Sequence, residues 1–146
     1  YEPFSDVKGG DWFFEAVAKA YRAGIVRGNY EGEELLFRPA DPITRAEAIT
    51  ILTKASRALQ DIELAEKSPF NDVKPGDWYY GNVNRAYMLG VVSGRSKVRF
   101  EPNGVLRRGE AAVMIQRVLE QDIRAAQRGV KEQPDGNDNS LFDLPL

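Results

Sequence analysis

Phe4-Ser5-Asp6-Val7 returns as Phe70-Asn71-Asp72-Val73, and Asp11-Trp12 returns as Asp77-Trp78, in each case 66 positions later. The spacing holds through Gly28 and Gly94, then drops to 63 from Phe37/Phe100 onward, through Pro39/Pro102, Arg45/Arg108 and Glu47/Glu110. One module is therefore written twice. The three positions missing from the second copy fall in the stretch that holds Glu31-Gly32-Glu33-Glu34, which reads as a surface loop, because closure entropy changes slowly with loop length. A repeat of this kind signals supersecondary units that are each too small to bury their apolar face alone and that stack on a common core.

In the first copy Asp11 stands where a helix N-cap is wanted, and Trp12, Ala16, Val17, Ala20 and Tyr21 follow at helical spacing with Gly24 as a left-handed stop. The spacing predicts a helix over 12–23. Ile25-Val26-Arg27-Gly28 reads as a buried turn or a short extended piece. Phe37-Arg38-Pro39 reads as extended chain, because the residue before proline is pushed out of the right-handed helical region. A second helix is expected from Thr44, running on past Leu59 and Ile62 until Ser68-Pro69 stops it. The second copy retraces this path with Asp77 as cap, a helix over 78–89, Gly90 as stop and a long helix from about Arg107 to about Arg128. Asp6 and Asp72 are read as acceptors for backbone amides in the turn before each first helix.

The expected fold is all-α. Two helix-loop-helix repeats, 1–67 and 68–128, are related by an internal pseudo-symmetry and share a core made by the two long helices. Residues 129–146 form a polar, flexible tail, since Gln133-Pro134-Asp135-Gly136-Asn137-Asp138-Asn139-Ser140 is a turn-forming run that does not pack. An apolar end, Leu141-Phe142-Asp143-Leu144-Pro145-Leu146, follows it.

Composition narrows the function. The 146 residues are 42% hydrophobic and 29% charged, which leaves enough apolar material for a core. No apolar run approaches the roughly 20 residues needed to cross a bilayer, so membrane insertion is not expected. No basic-then-apolar leader opens the chain, so a signal peptide is either absent or already removed. A net charge of −2 lacks the basic footprint of a nucleic-acid binder. With no cysteine and no histidine, thiol catalysis, Cys- or His-ligated zinc and histidine triads are excluded, and neither metal nor cofactor is expected. Glycan cleavage by two carboxylates needs a general acid about 5 to 10 Å from its partner in a deep cleft. The acids here are mostly cap or loop residues with repeat twins, so the chain is not read as an enzyme.

The ordered series Phe-x-Asp-Val, Asp-Trp, an alanine-rich helix closed by Gly-[Ile/Val]-Val-x-Gly, Phe-x-Pro, and Ile43-Thr44-Arg45-Ala46-Glu47 opening a second helix resembles the S-layer homology domain, over residues 1–60 and 68–119. The resemblance implies an extracellular module, at the cell surface or in the cell wall, that anchors proteins non-covalently to the bacterial envelope. The implied partner is a secondary cell-wall polysaccharide linked to peptidoglycan, with acidic pyruvylated amino sugars as the ligands. It also implies ligand grooves between neighbouring modules, which commonly come in threes. The alternative is a structural module whose repeats pack with a further repeat or another subunit and whose arginines make protein contacts.

Thr44-Arg45-Ala46-Glu47 is at once a capping box and a candidate site. Thr44 and Glu47 suit reciprocal caps of the helix start. No cap requires Arg45, and a guanidinium beside free helix amides makes a corner for a carboxylate. The second copy reads Arg107-Arg108-Gly109-Glu110, more basic and without the threonine cap. Arg45 and Arg108 are the principal candidate receptors, with Glu47, Glu110 and Arg107 beside them. Trp12, Trp78 and Tyr79 are candidate sugar contacts, though the tryptophans, next to Phe13-Phe14 and Tyr79-Tyr80, read more readily as core. Gly28 and Gly94 are turn residues that would also let a ligand approach the backbone, with Arg27, Asn29, Ser93 and Arg95 as rim.

Overall fold

The computed structural model describes residues 2–64 and 67–131. The 133–140 run and the apolar 141–146 end lie outside the described residues. The first repeat contributes α1 (Phe14–Arg22), β1 (Asn29–Glu31), β2 (Glu34–Leu36), α2 (Arg45–Ala55) and a short α3 (Arg57–Gln60). The second contributes α4 (Tyr80–Met88) and α5 (Arg108–Lys131).

The hairpin corrects the all-α expectation, and the fold is mixed α/β. β1 and β2 pair antiparallel, with Asn29 opposite Leu36 and Glu31 opposite Glu34. The turn is Gly32-Glu33, with Gly32 at φ 61°, the positive-φ first position that a two-residue hairpin gives to glycine. The residues read as a plain loop are thus the strands. Three positions shorter, the second copy instead closes with the Arg95 and Ser96 amides on the Arg99 carbonyl, at 3.0 and 3.2 Å.

Both first helices begin two residues later than predicted, and neither aspartate caps them. Asp11 Oδ2 accepts from the Lys8 amide at 2.8 Å and Asp77 Oδ2 from the Lys74 amide at 2.8 Å, so each carboxylate closes the preceding turn. The second helix also stops early. Ser56 leaves the helical region at φ −101°, ψ 122° and caps α3 by accepting from the Leu59 amide, while its hydroxyl donates to Asp122 Oδ1 at 2.8 Å. The same carboxylate oxygen accepts from the Ala58 amide at 3.0 Å. The twin of Ser56 is Leu119, which has no competing hydroxyl, and α5 runs on for 24 residues.

Asp6 and Asp72 do bind backbone amides, but those of the Phe-x-Pro segment 28 to 32 residues away. Asp6 takes Phe37 N and Arg38 N at 2.8 and 2.7 Å, and Asp72 takes Phe100 N and Glu101 N at 2.9 and 2.8 Å. This clasp holds Arg38 and Glu101 at φ 59° and 58°. The segment is therefore left-handed at its centre rather than extended: proline disfavours only the right-handed region before it, and two charge-assisted bonds offset the roughly 1 kcal/mol that a non-glycine residue loses there. Burial opposes ionisation of Asp6, yet the Phe37 and Arg38 amides outweigh it and hold the carboxyl below its ordinary value.

Two apolar clusters follow from this frame. The smaller joins Phe4, Val7 and Val17. The larger gathers Phe70, Val83, Phe100, Met114 and Val118 of the second repeat with Ala46, Ile49 and Leu59 of the first. The helix partner of α2 is chiefly α4, not α5 as the shared-core expectation had it. The junction is also stitched by backbone bonds: Arg45 N and Ala46 N, at the start of α2, donate to the Gly104 and Pro102 carbonyls, each at 2.9 Å, and Leu106 N donates to Ile43 O at 3.1 Å. Free amides at a helix start need acceptors, and here the neighbouring repeat supplies them. No helix among the described residues is long and apolar enough to cross a membrane.

Candidate functional site

The box at the start of α2 forms as read. Glu47 N donates to Thr44 Oγ1 at 3.1 Å, and Thr44 N donates to Glu47 Oε1 at 3.3 Å. Arg45 departs from expectation. Its side chain turns into the junction, only 4% exposed, where Nη1 pairs with Glu110 and Nε donates to the Phe100 carbonyl at 2.9 Å. The guanidinium carbon lies 4.8 Å from the centre of the Phe100 ring, a cation–π distance. Burial lowers the Arg45 pKa and Arg95 adds to that, while Glu110 opposes both. A free Arg45 fork is thus not what the fold contains. Leaving a cation unpaired while α2 packs on its neighbour would carry a heavy desolvation cost, and the second repeat's glutamate and carbonyl remove it.

Glu110 collects Arg95 at 3.2 Å and Arg107 at 3.9 Å as well as Arg45. Arg108, the twin of Arg45, is exposed and forms no ion pair among the described residues. Repeat positions that are identical in sequence therefore differ in surroundings: Arg45 enters the second repeat, and Arg108 stands exposed.

The tryptophans correct the core reading. Trp12 is 93% exposed and Trp78 62% exposed. The core is closed by their neighbours, against which each indole stands edge-on: Trp12 to Phe13 at 5.4 Å and Trp78 to Tyr79 at 5.2 Å. Tyr79, read as a candidate sugar contact, is buried. Burial raises its pKa, and the charge of Asp77 and a hydrogen bond to its carboxylate add to that.

Gly28 and Gly94 have φ of 70° and 81°, and each backbone presses on the phenylalanine of its own Phe-x-Asp-Val motif. A Cβ on Gly28 would stand 2.4 Å from Phe4 Cε1, and one on Gly94 would stand 2.5 Å from Phe70 Cε1. Their first use is this contact. It also brings the loop to the edge of a groove.

That groove is built by both repeats. A hollow of about 290 Å³ is lined by Arg27, Gly28, Glu47, Ile51, Lys54 and Trp78, among others. Beyond Trp78 lies a larger open hollow of about 890 Å³, which shares Asn29, Phe37, Glu47, Ile51 and Trp78 and adds Arg38, Asp41 and Asn103. Glu47, Ile51 and Lys54 are spaced i, i+4, i+7 on one face of α2. Burial depresses the Lys54 pKa, and the charge of Arg27 depresses it further, so two cations lie close together on a wall that also carries Glu47.

The structure thus brings Gly28, Glu47 and Trp78 together with Arg27 and Asn29. Gly94 and Glu110 meet Ser93 and Arg45 in a second hollow of about 380 Å³. Trp12, Arg107 and Arg108 line none of these three hollows. Sequence reasoning passed over Lys54. Its signal is the twin at the 63-residue offset, Arg117, a second cation at the same half-buried position of the long helix.

The site thus consists of an exposed indole beside a groove framed by polar and cationic groups of a tandem repeat. Residues 3–49 and 69–112 each match the S-layer homology domain, and the chain belongs to that family of cell-wall anchoring modules. It is 40% identical to exoglucanase XynX of Acetivibrio thermocellus over 120 residues, 80% of this chain and 11% of that protein. It is 39% identical to amylopullulanase of Thermoanaerobacterium thermosulfurigenes, over 80% of this chain and 6% of that protein. It is 32% identical to the surface-layer 125 kDa protein of Lysinibacillus sphaericus, again over 80% of this chain and 10% of that protein. The chain spans only 6 to 11% of the length of these relatives, which share the module and differ in what their names say they do.

Proposed function

We propose that this chain anchors a protein at the bacterial cell surface by gripping an acidic, pyruvylated polysaccharide of the cell wall in the groove between its two repeats. One observation carries the reading: the exposed Trp78 of the second repeat lines one hollow with Arg27 and Lys54 of the first. A sugar ring takes the indole face, because its C–H edge suits an aromatic surface. A ketal carboxylate takes the cation pair and replaces the repulsion between Arg27 and Lys54 with two charge-assisted contacts. Asn29, Asp41 and Asn103 supply donors and acceptors for hydroxyl or amide groups beyond the indole. Arg45 acts indirectly, by locking the second repeat, and with it Trp78, over the first.

The test is co-sedimentation with purified wall polymer, with and without its pyruvyl groups. The native chain binds the first and loses most of its affinity for the second. Trp78→Ala and the double change Arg27→Gln/Lys54→Gln each weaken binding at least roughly tenfold, the equivalent of one charged hydrogen bond, with unchanged melting. Undiminished binding by the double variant removes the cation pair from the site.

A further inference from the structure

The backbone that stitches the two repeats together runs through Glu101-Pro102-Asn103-Gly104. The Pro102 and Gly104 carbonyls accept from the Ala46 and Arg45 amides, each at 2.9 Å, and Asn103 stands exposed between them. Gly104 N closes the turn on the Glu101 carbonyl at 3.0 Å. A Cβ on Gly104 would stand 3.2 Å from that same oxygen and 2.9 Å from Arg95 Nη1, so packing favours glycine there. That glycine has a chemical side effect. Of the described asparagines, at 29, 71, 82, 84 and 103, only Asn103 precedes a glycine, the one neighbour with no Cβ to hinder attack by its own amide nitrogen. The same turn of the first repeat reads Arg38-Pro39-Ala40-Asp41 and carries no side-chain amide to lose.

We propose that Asn103-Gly104 is a site of spontaneous modification at which the junction between the repeats ages. The Gly104 nitrogen attacks Asn103 Cγ, gives its proton to water and expels the side-chain nitrogen as ammonia, leaving a five-membered succinimide. Water then opens the ring. Breaking the bond from Cγ to the Gly104 nitrogen yields aspartate. Breaking the bond from the Asn103 carbonyl carbon to that nitrogen yields isoaspartate, whose Cβ has entered the main chain. In both cases one water is taken up and one ammonia released. The isoaspartyl chain is about 1.5 Å longer between the Pro102 and Gly104 carbonyls, while the two amides they serve stay adjacent at the start of α2, so a bond across the junction is lost. Either product also adds a carboxylate to a wall of the larger hollow that already carries Asp41 and Glu47. The fold sets the rate. The nitrogen that must attack is the one that closes the turn, so the turn has to open first, and the intact junction slows its own modification.

The test needs no glycan and is independent of the proposed function. The chain is kept for weeks at mildly alkaline pH, with and without urea. Mass spectrometry follows the Asn103 peptide for replacement of NH2 by OH, and fragmentation distinguishes isoaspartate from aspartate. Asn103 converts in both samples, at least roughly tenfold more slowly in the folded chain because attack waits on local opening. The isoaspartyl form, separated by chromatography, melts below the native chain. Asn103→Asp, which brings the charge without the extra main-chain atom, melts with the native chain. No conversion of Asn103 in the folded chain, equal rates with and without urea, or an isoaspartyl form that melts like Asn103→Asp overturns the proposal.

Discussion

Arg45→Ala is expected to destabilise the fold by about 2 to 4 kcal/mol, whereas Arg108→Ala, at the same repeat position, changes stability in dilute solution by less than about 0.5 kcal/mol. The first figure has three parts. Losing the Nε–H bond leaves the Phe100 carbonyl without its partner, a loss of about 1.5 to 3 kcal/mol for a charged donor. The contact with the Phe100 ring adds about 0.5 to 2 kcal/mol. The ion pair adds less than a fully buried one, because Glu110 is 26% exposed at its side chain and keeps Arg95 and Arg107, and deletion also recovers the cost of burying the guanidinium. Urea unfolding followed by far-UV circular dichroism reads the difference directly, and Arg45→Met, which keeps apolar bulk against the ring, recovers part of it. Equal effects of the two alanine variants, or an Arg45→Ala loss under about 0.5 kcal/mol, would refute the claim that this arginine is a junction residue.

Other outcomes follow from the same geometry. Asp6→Asn costs about 2 kcal/mol, because one of two backbone amides then faces an NH2 group. The Asp6 carboxyl is depressed on folding, so its contribution is complete above the ordinary aspartate value and is lost as pH falls through the folded one; acid unfolding of Asp6→Asn is correspondingly flatter. Gly28→Ala costs at least about 3 kcal/mol, since strain at φ 70° adds to overlap with Phe4 and the Leu36 carbonyl, and thermal melting reports it. Lys54 is depressed in the free chain, so an acidic ligand raises its pKa. Binding then takes up protons, and affinity measured by titration calorimetry falls as pH rises through the free-state value.

Much of the architecture was legible because it is duplicated. The repeats, the capping box, the positive-φ glycines and the amide-binding aspartates could each be read from residue type and position. What escaped depends on a partner distant in sequence. Asp122 decides where α2 stops, yet lies 66 residues from Ser56. The hairpin is hidden in three extra positions whose Glu31-Gly32-Glu33-Glu34 composition suggests only a solvated loop. The helix dipole argument placed Arg45 at an anion site and found a protein carboxylate there instead, since Glu110 of the second repeat arrives first. Trp12 and Trp78 looked like core because they adjoin other aromatics, but one position separates a side chain that closes the core from one that stands outside it.

The clasp between Asp6 and the Phe37-Arg38 amides has an architectural consequence. It fixes where the chain re-enters the module whatever happens between Gly28 and Phe37, and Asp72 does the same for the shorter second copy. The hairpin tip at Gly32-Glu33 is thereby insulated from the wall of the cleft, so it is a natural place to graft an epitope tag, a fluorophore or a longer surface excursion without moving Trp78 or Lys54.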